Sequence, residues 1–531
     1  MRLLQRISLA LAVVFTLGVA GAPVSAQVTA FKQAIAEAAA KDAALAAFYK
    51  ARNYKPIWTG RLGKDSQRRR AFLAALAKAG DHGLPVKRYD PAAIKASLKA
   101  AKTGRDRGRL EVEMSRMFLQ YASDIRSGVV NPHSIDSGMV RKVVRWDRLQ
   151  TLVAFEKSSA SRFIKKLAPS TPEYLRLMKE KLKLEKQIGR GGYGPKVKAA
   201  SLKPGASGAS VVALRNRLVA MGYLKRSASQ TYDAKLQKAV QLFQLDHGLP
   251  TDGVAGKSTM AEINKPAEYR LQSIIVAMER ERWFNQPRGK RHILVNLTDF
   301  TAKIIDNGKV TFITRSVVGK NESDRRTPEF SDVMEFMIVN PTWNVPRSIA
   351  TKEYLPLLKR NPNAVGHLRL TDSRGRVVNR GAVDFSQYNE RNFPFNLKQP
   401  PSRGNALGLV KFMFPNPYNI YLHDTPSKNL FNRNVRAFSH GCIRLQKPFE
   451  FAYALLAKQV SNPQEYFQAV LKTGRETKID LKEPVPVHLI YRTAISKPKG
   501  GMEYRRDIYG RDAKIFRALS KAGVALRAVR G

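Results

Sequence analysis

The sequence predicts a multidomain α+β protein, with a helical N-terminal half followed by a β-rich C-terminal half. Apolar residues recur at helical spacing from Ala30 to about Lys186. From Arg291 the pattern changes to short runs rich in β-branched residues. The 531 residues exceed what one core accommodates, since domains average roughly 100–200 residues. We therefore expect a helical scaffold domain, a small three-helix domain and a β-rich domain that carries an insertion.

The N-terminus has the layout of a secretory signal peptide. Arg2 and Arg6 form a basic start, an apolar stretch runs from Ile7 to Ala22, and small residues follow at Val24-Ser25-Ala26. We predict a cleaved signal at 1–26, with an uncleaved anchor as the alternative. No later stretch reaches the ~18–20 apolar residues of a membrane span. The mature chain is therefore expected in the periplasm, without a stable membrane span.

The charge of the chain is strongly positive. It has 93 Lys and Arg against 42 Asp and Glu, a formal net charge of +51, which favours an anionic partner. Export and the lack of zinc-finger or RNP-like motifs argue against nucleic acid. Envelope polymers, peptide carboxylates or lipid head groups are the remaining anions. Alternatively, the charge is spread along the chain and keeps it soluble.

The helical half divides into two predicted domains. We expect a scaffold domain at 27–200, completed by 266–286, and a separate unit at 201–265 after a Gly-rich linker. Apolar stripes predict three short helices in that unit, with a Gly-punctuated loop between the second and the third.

The β-rich domain is expected at 287–495. Asp306-Asn307-Gly308-Lys309 is typical of a hairpin turn, and the clearest helix starts at Pro448. The polar, Asn- and Arg-rich stretch 347–399 interrupts this domain, and 496–531 forms a basic C-terminal extension.

The only cysteine, Cys442, lies in the motif Ser439-His440-Gly441-Cys442-Ile443-Arg444. A single cysteine excludes an intramolecular disulfide. A thiol attacks as the thiolate and needs a neighbouring base or cation for activation. His440 and Arg444 flank the thiol, and His423 ends a predicted strand upstream. The alternative is a buried, inert cysteine.

This constellation resembles the L,D-transpeptidase catalytic domain, and the three-helix unit resembles a small peptidoglycan-binding domain. The arrangement of the whole chain is similar to the large Gram-negative subgroup, in which a helical scaffold, a wall-binding module and a lid accompany the catalytic domain. The resemblance rests on motifs spread over the C-terminal half: Val295-Asn296, Val317-Val318-Gly319-Lys320, Thr327-Pro328, the run 340–346, the run 405–408, Lys411-Phe412 and the run 421–426.

The resemblance implies a role for each residue of the site. Cys442 is the nucleophile and His423 the general base, with His440 as the competing base. Asp424 orients the imidazole through its carbonyl or its carboxylate. The remaining implied roles are an oxyanion hole of the Gly441 and Cys442 N–H groups with Tyr421, and substrate binding by Arg444, Ser439, Trp343 and Asn405. The 347–399 insertion corresponds to the lid, with a surface loop as the alternative.

The implied reaction is 3→3 cross-linking of peptidoglycan stem peptides through a cysteine thioester, with a tetrapeptide donor and a diaminopimelate acceptor. The resemblance also implies covalent acylation by a carbapenem and requires no cofactor or metal. Other cell-wall enzymes are possible partners of the scaffold. The same site suits an L,D-carboxypeptidase or endopeptidase, or tethering of a protein to the wall. A non-catalytic wall-binding scaffold is the rival outside enzymes.

Overall fold

A computed structural model describes residues 29–528, which fold as two compact units. The first contains residues 29–68 and 92–117, and the second contains 69–91 and 118–528. The predicted signal peptide at 1–26 lies outside the described residues. No helix among residues 29–528 is long and apolar enough to cross a bilayer.

The first unit is helical and is organised around a buried carboxylate. The helices that lie wholly or partly in it are α1 (Ala30–Ala39), α2 (Ala43–Ala51), α3 (Gly63–Ala77), α4 (Pro91–Ala100) and α5 (Gly104–Ser127). Glu111 on α5 accepts hydrogen bonds from the backbone N–H groups of Ile57, Trp58 and Thr59. This arrangement satisfies a buried charge that would otherwise destabilise the fold.

The second unit begins with the rest of the helical scaffold. Its elements are α6 (Pro132–Ile135), α7 (Arg148–Lys157), α8 (Ala160–Lys165), α9 (Pro172–Gly189), α13 (Ala267–Trp283), β13 (Ala494–Ser496), β14 (Met502–Tyr504) and α18 (Arg511–Lys521). Helix α13 is buried along most of its length and packs against α9 and α18. The C-terminal segment, expected as a basic extension, thus contains a strand and a helix that join the scaffold core.

The predicted three-helix module consists of α10 (Ala209–Ala220), α11 (Ala234–Asp246) and α12 (Lys257–Ile263). The apolar stripes read from the sequence form its core, including Val211, Leu214 and Leu218 from α10 and Leu236 and Phe243 from α11. The module therefore has its own hydrophobic core, as the predicted fold class requires.

The C-terminal half is the predicted β-rich domain. Its main sheet has nine strands in the order β10-β3-β11-β9-β8-β4-β12-β1-β2, and a further β2–β3 pairing closes all but β10 into a ring. The strands are β1 (Arg291–Asn296), β2 (Thr301–Asp306), β3 (Lys309–Gly319), β4 (Ser331–Val339), β8 (Val410–Met413), β9 (Leu422–His423), β10 (Ala437–Ser439), β11 (Ile443–Leu445) and β12 (Thr477–Ile490). The predicted β2–β3 hairpin turns through Asn307 (φ 50°) and Gly308 (φ 79°), as a type I′ turn requires.

Helices α16 (Pro448–Leu456) and α17 (Pro463–Lys472) accompany this sheet. Phe451 and Leu455 of α16 and Phe467 of α17 are buried in the same core as the strands.

The insertion, residues 347–399, folds around a second small core. It contains α14 (Arg347–Ile349), a π-helical turn (Ala350–Tyr354), α15 (Leu355–Arg360), β6 (Arg369–Thr371) and β7 (Asn396–Gln399). With β5 (Trp343–Asn344), just before it, the insertion forms a three-stranded sheet in the order β5-β7-β6. Leu358, Leu370 and Phe393 are among its buried residues, so this polar sequence is a packed subdomain.

Candidate active site

Cys442 follows strand β10 in a tight loop, the cysteine loop (439–442), that two hydroxyl groups hold in place. Gly441 has φ +118°, a conformation that side chains disfavour. The Ser439 hydroxyl donates to the Cys442 carbonyl at 2.5 Å and accepts the Gly441 N–H at 3.2 Å. Thr327 donates to the Gly441 carbonyl at 2.7 Å and accepts the Gly319 N–H at 2.9 Å. Ser439 is buried and its hydroxyl is engaged inside the loop.

The sheet brings His423 next to this loop. Strands β9 and β11 are parallel, with His423 opposite Arg444 and Leu422 opposite Ile443. The Ile443 N–H donates to the Tyr421 carbonyl at 3.0 Å. Cys442 directly precedes β11, and Tyr421 directly precedes β9. The segments that carry the thiol and the imidazole are therefore neighbours in the sheet.

The backbone carbonyl of Asp424 contacts the His423 imidazole. Nδ1 of His423 lies 2.5 Å from this oxygen. Because a carbonyl only accepts, Nδ1 carries the proton and Nε2 keeps its lone pair for a base. The imidazole is buried, so the Asp424 carbonyl and not solvent determines its tautomer.

The carboxylate of Asp424 has other partners. One oxygen accepts the Leu409 N–H at 2.9 Å, and the other pairs with the Lys428 ammonium group. A Cβ at Gly408, where φ is +63°, would lie 2.3 Å from this carboxylate. Glycine at that position thus leaves room for the carboxylate, which connects Leu409, before the histidine in sequence, with Lys428, after it.

Burial makes the resting cysteine and histidine neutral. Desolvation raises the pKa of the Cys442 thiol to about 11, although the Tyr421 backbone and hydroxyl and the charge of Arg444 oppose this shift. Desolvation, together with the charge of Arg444, lowers the pKa of His423 to about 3, against hydrogen bonds to the Asp424 and Leu407 backbones. A neutral imidazole is the protonation state that can accept a proton.

His440 faces the insertion. Its Nε2 lies 2.6 Å from Oε1 of Glu353, which also accepts from the Arg325 guanidinium at 2.8 Å. Glu353 belongs to the π-helical turn of the insertion. Of the two histidines, His440 thus connects the cysteine loop with the insertion, whereas His423 lies on the strand beside it.

A cleft of about 620 Å³, the insertion cleft, lies between the catalytic sheet and the insertion. Trp343, Tyr354, His367 and Arg444 line it together with the segment 399–406. Nε of Arg444 is buried, and this side chain has no hydrogen-bond partner among residues 29–528. Its guanidinium is therefore available to an anion in the cleft.

Asn405 is fully buried beside this cleft, where it supports the backbone. Its side-chain amide donates to the carbonyls of Pro341, Gln399 and Pro400 at 2.9–3.1 Å. Trp343 is also largely buried and packs edge-on against Tyr354. Asn405 thus holds the two chain segments that connect the insertion, and Trp343 forms part of the cleft wall.

The sequence reasoning missed several residues that complete the site. Glu353 lies in the polar insertion, where one more acidic residue carried no signal. Tyr509, whose hydroxyl donates to the Gly319 carbonyl at 2.6 Å, is far away in sequence. Lys428 lies four residues after Asp424, and this i,i+4 spacing is a signal by which it could have been found as a partner of the Asp424 carboxylate. No cluster of three or more His, Cys, Asp or Glu with metal-binding geometry occurs within residues 29–528.

Three family models match this chain. The YkuD model, described as the L,D-transpeptidase catalytic domain, matches residues 290–487. A scaffold domain matches 43–180, and a domain described as "Putative peptidoglycan binding domain" matches 207–263. The three matched stretches follow one another in the order scaffold domain, peptidoglycan-binding domain and L,D-transpeptidase catalytic domain.

One curated relative and two solved structures show how far the similarity extends. A protein named "Putative L,D-transpeptidase" from Haemophilus influenzae is 32% identical over 242 residues, 45% of this chain and 48% of that protein. The chain thus spans about half the length of that curated relative. An L,D-transpeptidase structure from Xylanimonas cellulosilytica is 15% identical, with 56% and 98% of the two chains covered and a TM-score of 0.16. The structure of the Ldtfm-avibactam carbamoyl enzyme is 12% identical in sequence. The match covers 59% of this chain and 98% of that chain, with a TM-score of 0.20. TM-scores this low carry no argument about the fold.

Proposed function

We propose that this protein is a peptidoglycan L,D-transpeptidase that forms 3→3 cross-links through a thioester on Cys442. The observation that carries the proposal is the parallel pairing of β9 and β11, which sets His423 opposite Arg444, two residues after the only cysteine. A nucleophile directly before β11, a histidine with a fixed tautomer on β9 and a free cation on β11 are thus brought together by one strand pairing. This is the set of groups that acyl transfer through a thiol needs.

The first half-reaction would release D-alanine. Sγ of Cys442 attacks the carbonyl of the third stem residue, a diaminopimelate, while Nε2 of His423 takes the thiol proton. The C–N bond to the terminal D-alanine breaks, and the imidazolium returns the proton to the departing amine. The product is a thioester and free D-alanine.

The second half-reaction would form the cross-link. The side-chain amine of another stem attacks the thioester, and His423 removes the proton from the attacking nitrogen. The C–S bond breaks, the new amide forms, and the thiolate regains a proton. Dividing the exchange into two steps lets one cysteine serve both as nucleophile and as leaving group.

Two donors near the thiol suit the oxyanion of each tetrahedral intermediate. The Tyr421 hydroxyl helps to lower the pKa of the thiol, and the Cys442 N–H makes no hydrogen bond within residues 29–528. The Gly441 N–H, by contrast, is engaged by Ser439. We therefore assign the oxyanion hole to Cys442 and Tyr421, with Gly441 shaping the loop.

The insertion cleft suits the donor stem. Arg444 lines it without a partner in the described chain and can bind a stem carboxylate. The packed insertion would act as a lid that excludes water, the competing acyl acceptor. The wall-acting domains indicate an extracytoplasmic protein, and we propose the periplasm as its compartment.

The test is incubation with defined disaccharide-tetrapeptides, followed by mass analysis of the products and of the intact protein. We expect a thioester on Cys442 and a cross-linked dimer, and we expect a carbapenem to add covalently to the same residue. Hydrolysed tripeptide alone would indicate a carboxypeptidase, and a protein conjugate would indicate tethering.

Three variants assign the roles in the same assay. Cys442→Ala should form no acyl-enzyme, and D-alanine release by this variant would refute the mechanism. His423→Gln should abolish acylation, whereas the matched change His440→Gln should retain most of it. The reverse order would transfer the role of the base to His440.

A further inference from the structure

A second cavity, of about 390 Å³, lies between the three-helix module and the catalytic sheet. We call it the arginine cavity because guanidinium groups dominate its lining. The module contributes the loop after α11, and the sheet domain contributes residues 298–300 and 431–436. The arginines that line it are Arg315, Arg433, Arg436, Arg505 and Arg506.

Positive charge in the arginine cavity is largely uncompensated. Asp299 is the one acidic residue of the lining, and its single negative charge acts on Arg436 against five guanidinium groups. Arg505 pairs with Glu503. Within residues 29–528, no carboxylate lies at ion-pair distance from the other four arginines. Burial and the neighbouring charge of Arg315 lower the pKa of Arg436 to about 10. An anion would relieve this repulsion.

The cavity combines a fixed cation with movable ones. The Arg436 guanidinium donates to the carbonyls of Ser316 at 3.2 Å and Arg433 at 2.9 Å, and it lies 5.1 Å from the centre of the Phe300 ring. The side chains of Arg433 and Arg506 are exposed and make no hydrogen bond within the described chain. Such groups can reach a ligand without breaking protein contacts.

The arginine cavity adjoins a further cavity of about 670 Å³. Leu245, His247 and Arg505 line both. The larger cavity lies between the module, α9 and β14, and its lining includes Tyr193 and Tyr504. Their phenol hydroxyls have no hydrogen-bond partner among residues 29–528. Aromatic rings with free hydroxyls suit a sugar, and guanidinium groups suit carboxylates.

We propose that the arginine cavity binds stem-peptide carboxylates of a peptidoglycan strand whose sugars occupy the adjoining cavity of the module. The inference rests on the proposed function for its choice of polymer. This arrangement defines how the strand is oriented on the wall-binding module: its stem peptides would point toward the catalytic sheet. Carboxylates fit better than lipid phosphates because the anion site adjoins a cavity suited to sugars.

The test measures binding in the Cys442→Ala background, so that turnover does not consume the ligand. The probes are purified peptidoglycan fragments of several disaccharide-tetrapeptide units and the same fragments with their carboxylates amidated. Replacing two exposed arginines by glutamine, Arg433→Gln with Arg506→Gln, should weaken binding of the free-acid fragments by about tenfold, since a partly exposed charge contact contributes up to ~1 kcal/mol. Binding of the amidated fragments should not change.

The matched control removes two exposed arginines elsewhere, Arg109→Gln with Arg475→Gln, and should leave both affinities within about twofold. Equal losses for both probes, or no loss, would overturn the proposal. So would anionic phosphatidylglycerol vesicles that bind the parent protein and lose binding in the cavity variant, while fragment binding persists. Carbapenem acylation of the chain with Cys442 intact is measured separately. Its failure would refute the proposed function and leave the binding comparison valid.

Discussion

Replacement of Arg444 by glutamine tests the most specific assignment in the insertion cleft. The side chain is partly buried, its Nε has no partner in the described chain, and burial lowers its pKa. A charge-assisted, two-point contact with a carboxylate contributes about 2–3 kcal/mol. Its loss predicts a fall of roughly 30- to 160-fold in kcat/KM for a free-acid tetrapeptide donor.

The assay compares two donors and two variants. For a donor with an amidated carboxylate at the recognised position, Arg444→Gln should cost much less, because no carboxylate remains to be paired. The matched variant Arg444→Lys keeps the charge but loses the planar fork, so it should recover part of the activity. Thermal unfolding serves as the control for folding, and we expect a small change because no protein partner of Arg444 is lost.

The same variant carries an independent electrostatic signal. The charge of Arg444 lowers the pKa of Cys442 and that of His423. Its removal should therefore raise both values, and alkylation of the thiol by neutral iodoacetamide should slow at a fixed pH near 8. Equal losses with both donors, or unchanged alkylation in Arg444→Gln, would refute the role assigned to this residue.

Three further predictions concern the thiol, Tyr421 and the insertion. Because the pKa of Cys442 is raised to about 11, the thiolate fraction and the iodoacetamide rate should keep rising with pH beyond 9; a plateau near 8.5 would contradict the effect of burial. Tyr421→Phe removes a hydroxyl that favours the thiolate and should slow carbapenem acylation by roughly 5- to 10-fold, the value of one hydrogen bond. Glu353→Gln weakens the contacts with Arg325 and His440, so amide hydrogen exchange in 347–399 should accelerate about 2- to 10-fold. Glu390→Gln, an exposed change in the same insertion, is the control. Equal effects of Glu353→Gln and Glu390→Gln would show that the contacts of Glu353 do not hold the insertion in place.

Local patterns predicted much of the fold. The stripes at 211–221 and 236–243 became the core of the three-helix module, because the helical period records which side faces inward. Asn307-Gly308 predicted the β2–β3 turn, because few residue pairs accept that backbone geometry. Such features depend on residues that are close together in the chain, so they can be predicted from a single sequence.

Long-range contacts were beyond the sequence. Residues 496–531 read as a basic tail, yet Arg511 of α18 is buried against Glu329 and the Thr327 carbonyl. A charged residue becomes part of a core only through partners that the fold supplies. Glu353 and Tyr509 escaped notice for the same reason, because their contacts with the cysteine loop and with Gly319 join segments distant in sequence.

The neutral state of the cysteine–histidine pair connects the insertion with the chemistry. A thiolate at rest would be open to oxidation in an extracytoplasmic protein, and the raised pKa of the half-buried Cys442 keeps its thiol protonated. In the proposed mechanism the raised pKa makes attack depend on substrate, since only a bound carbonyl lets negative charge move from sulfur to an oxygen held by Tyr421 and the Cys442 N–H. An insertion that covers the cleft then favours reaction with an amine over water. The contact of Glu353 with His440 joins that insertion to the cysteine loop. Movement of the insertion would therefore change the position of the cysteine loop, although the proposed mechanism gives neither Glu353 nor His440 a part in the proton transfer.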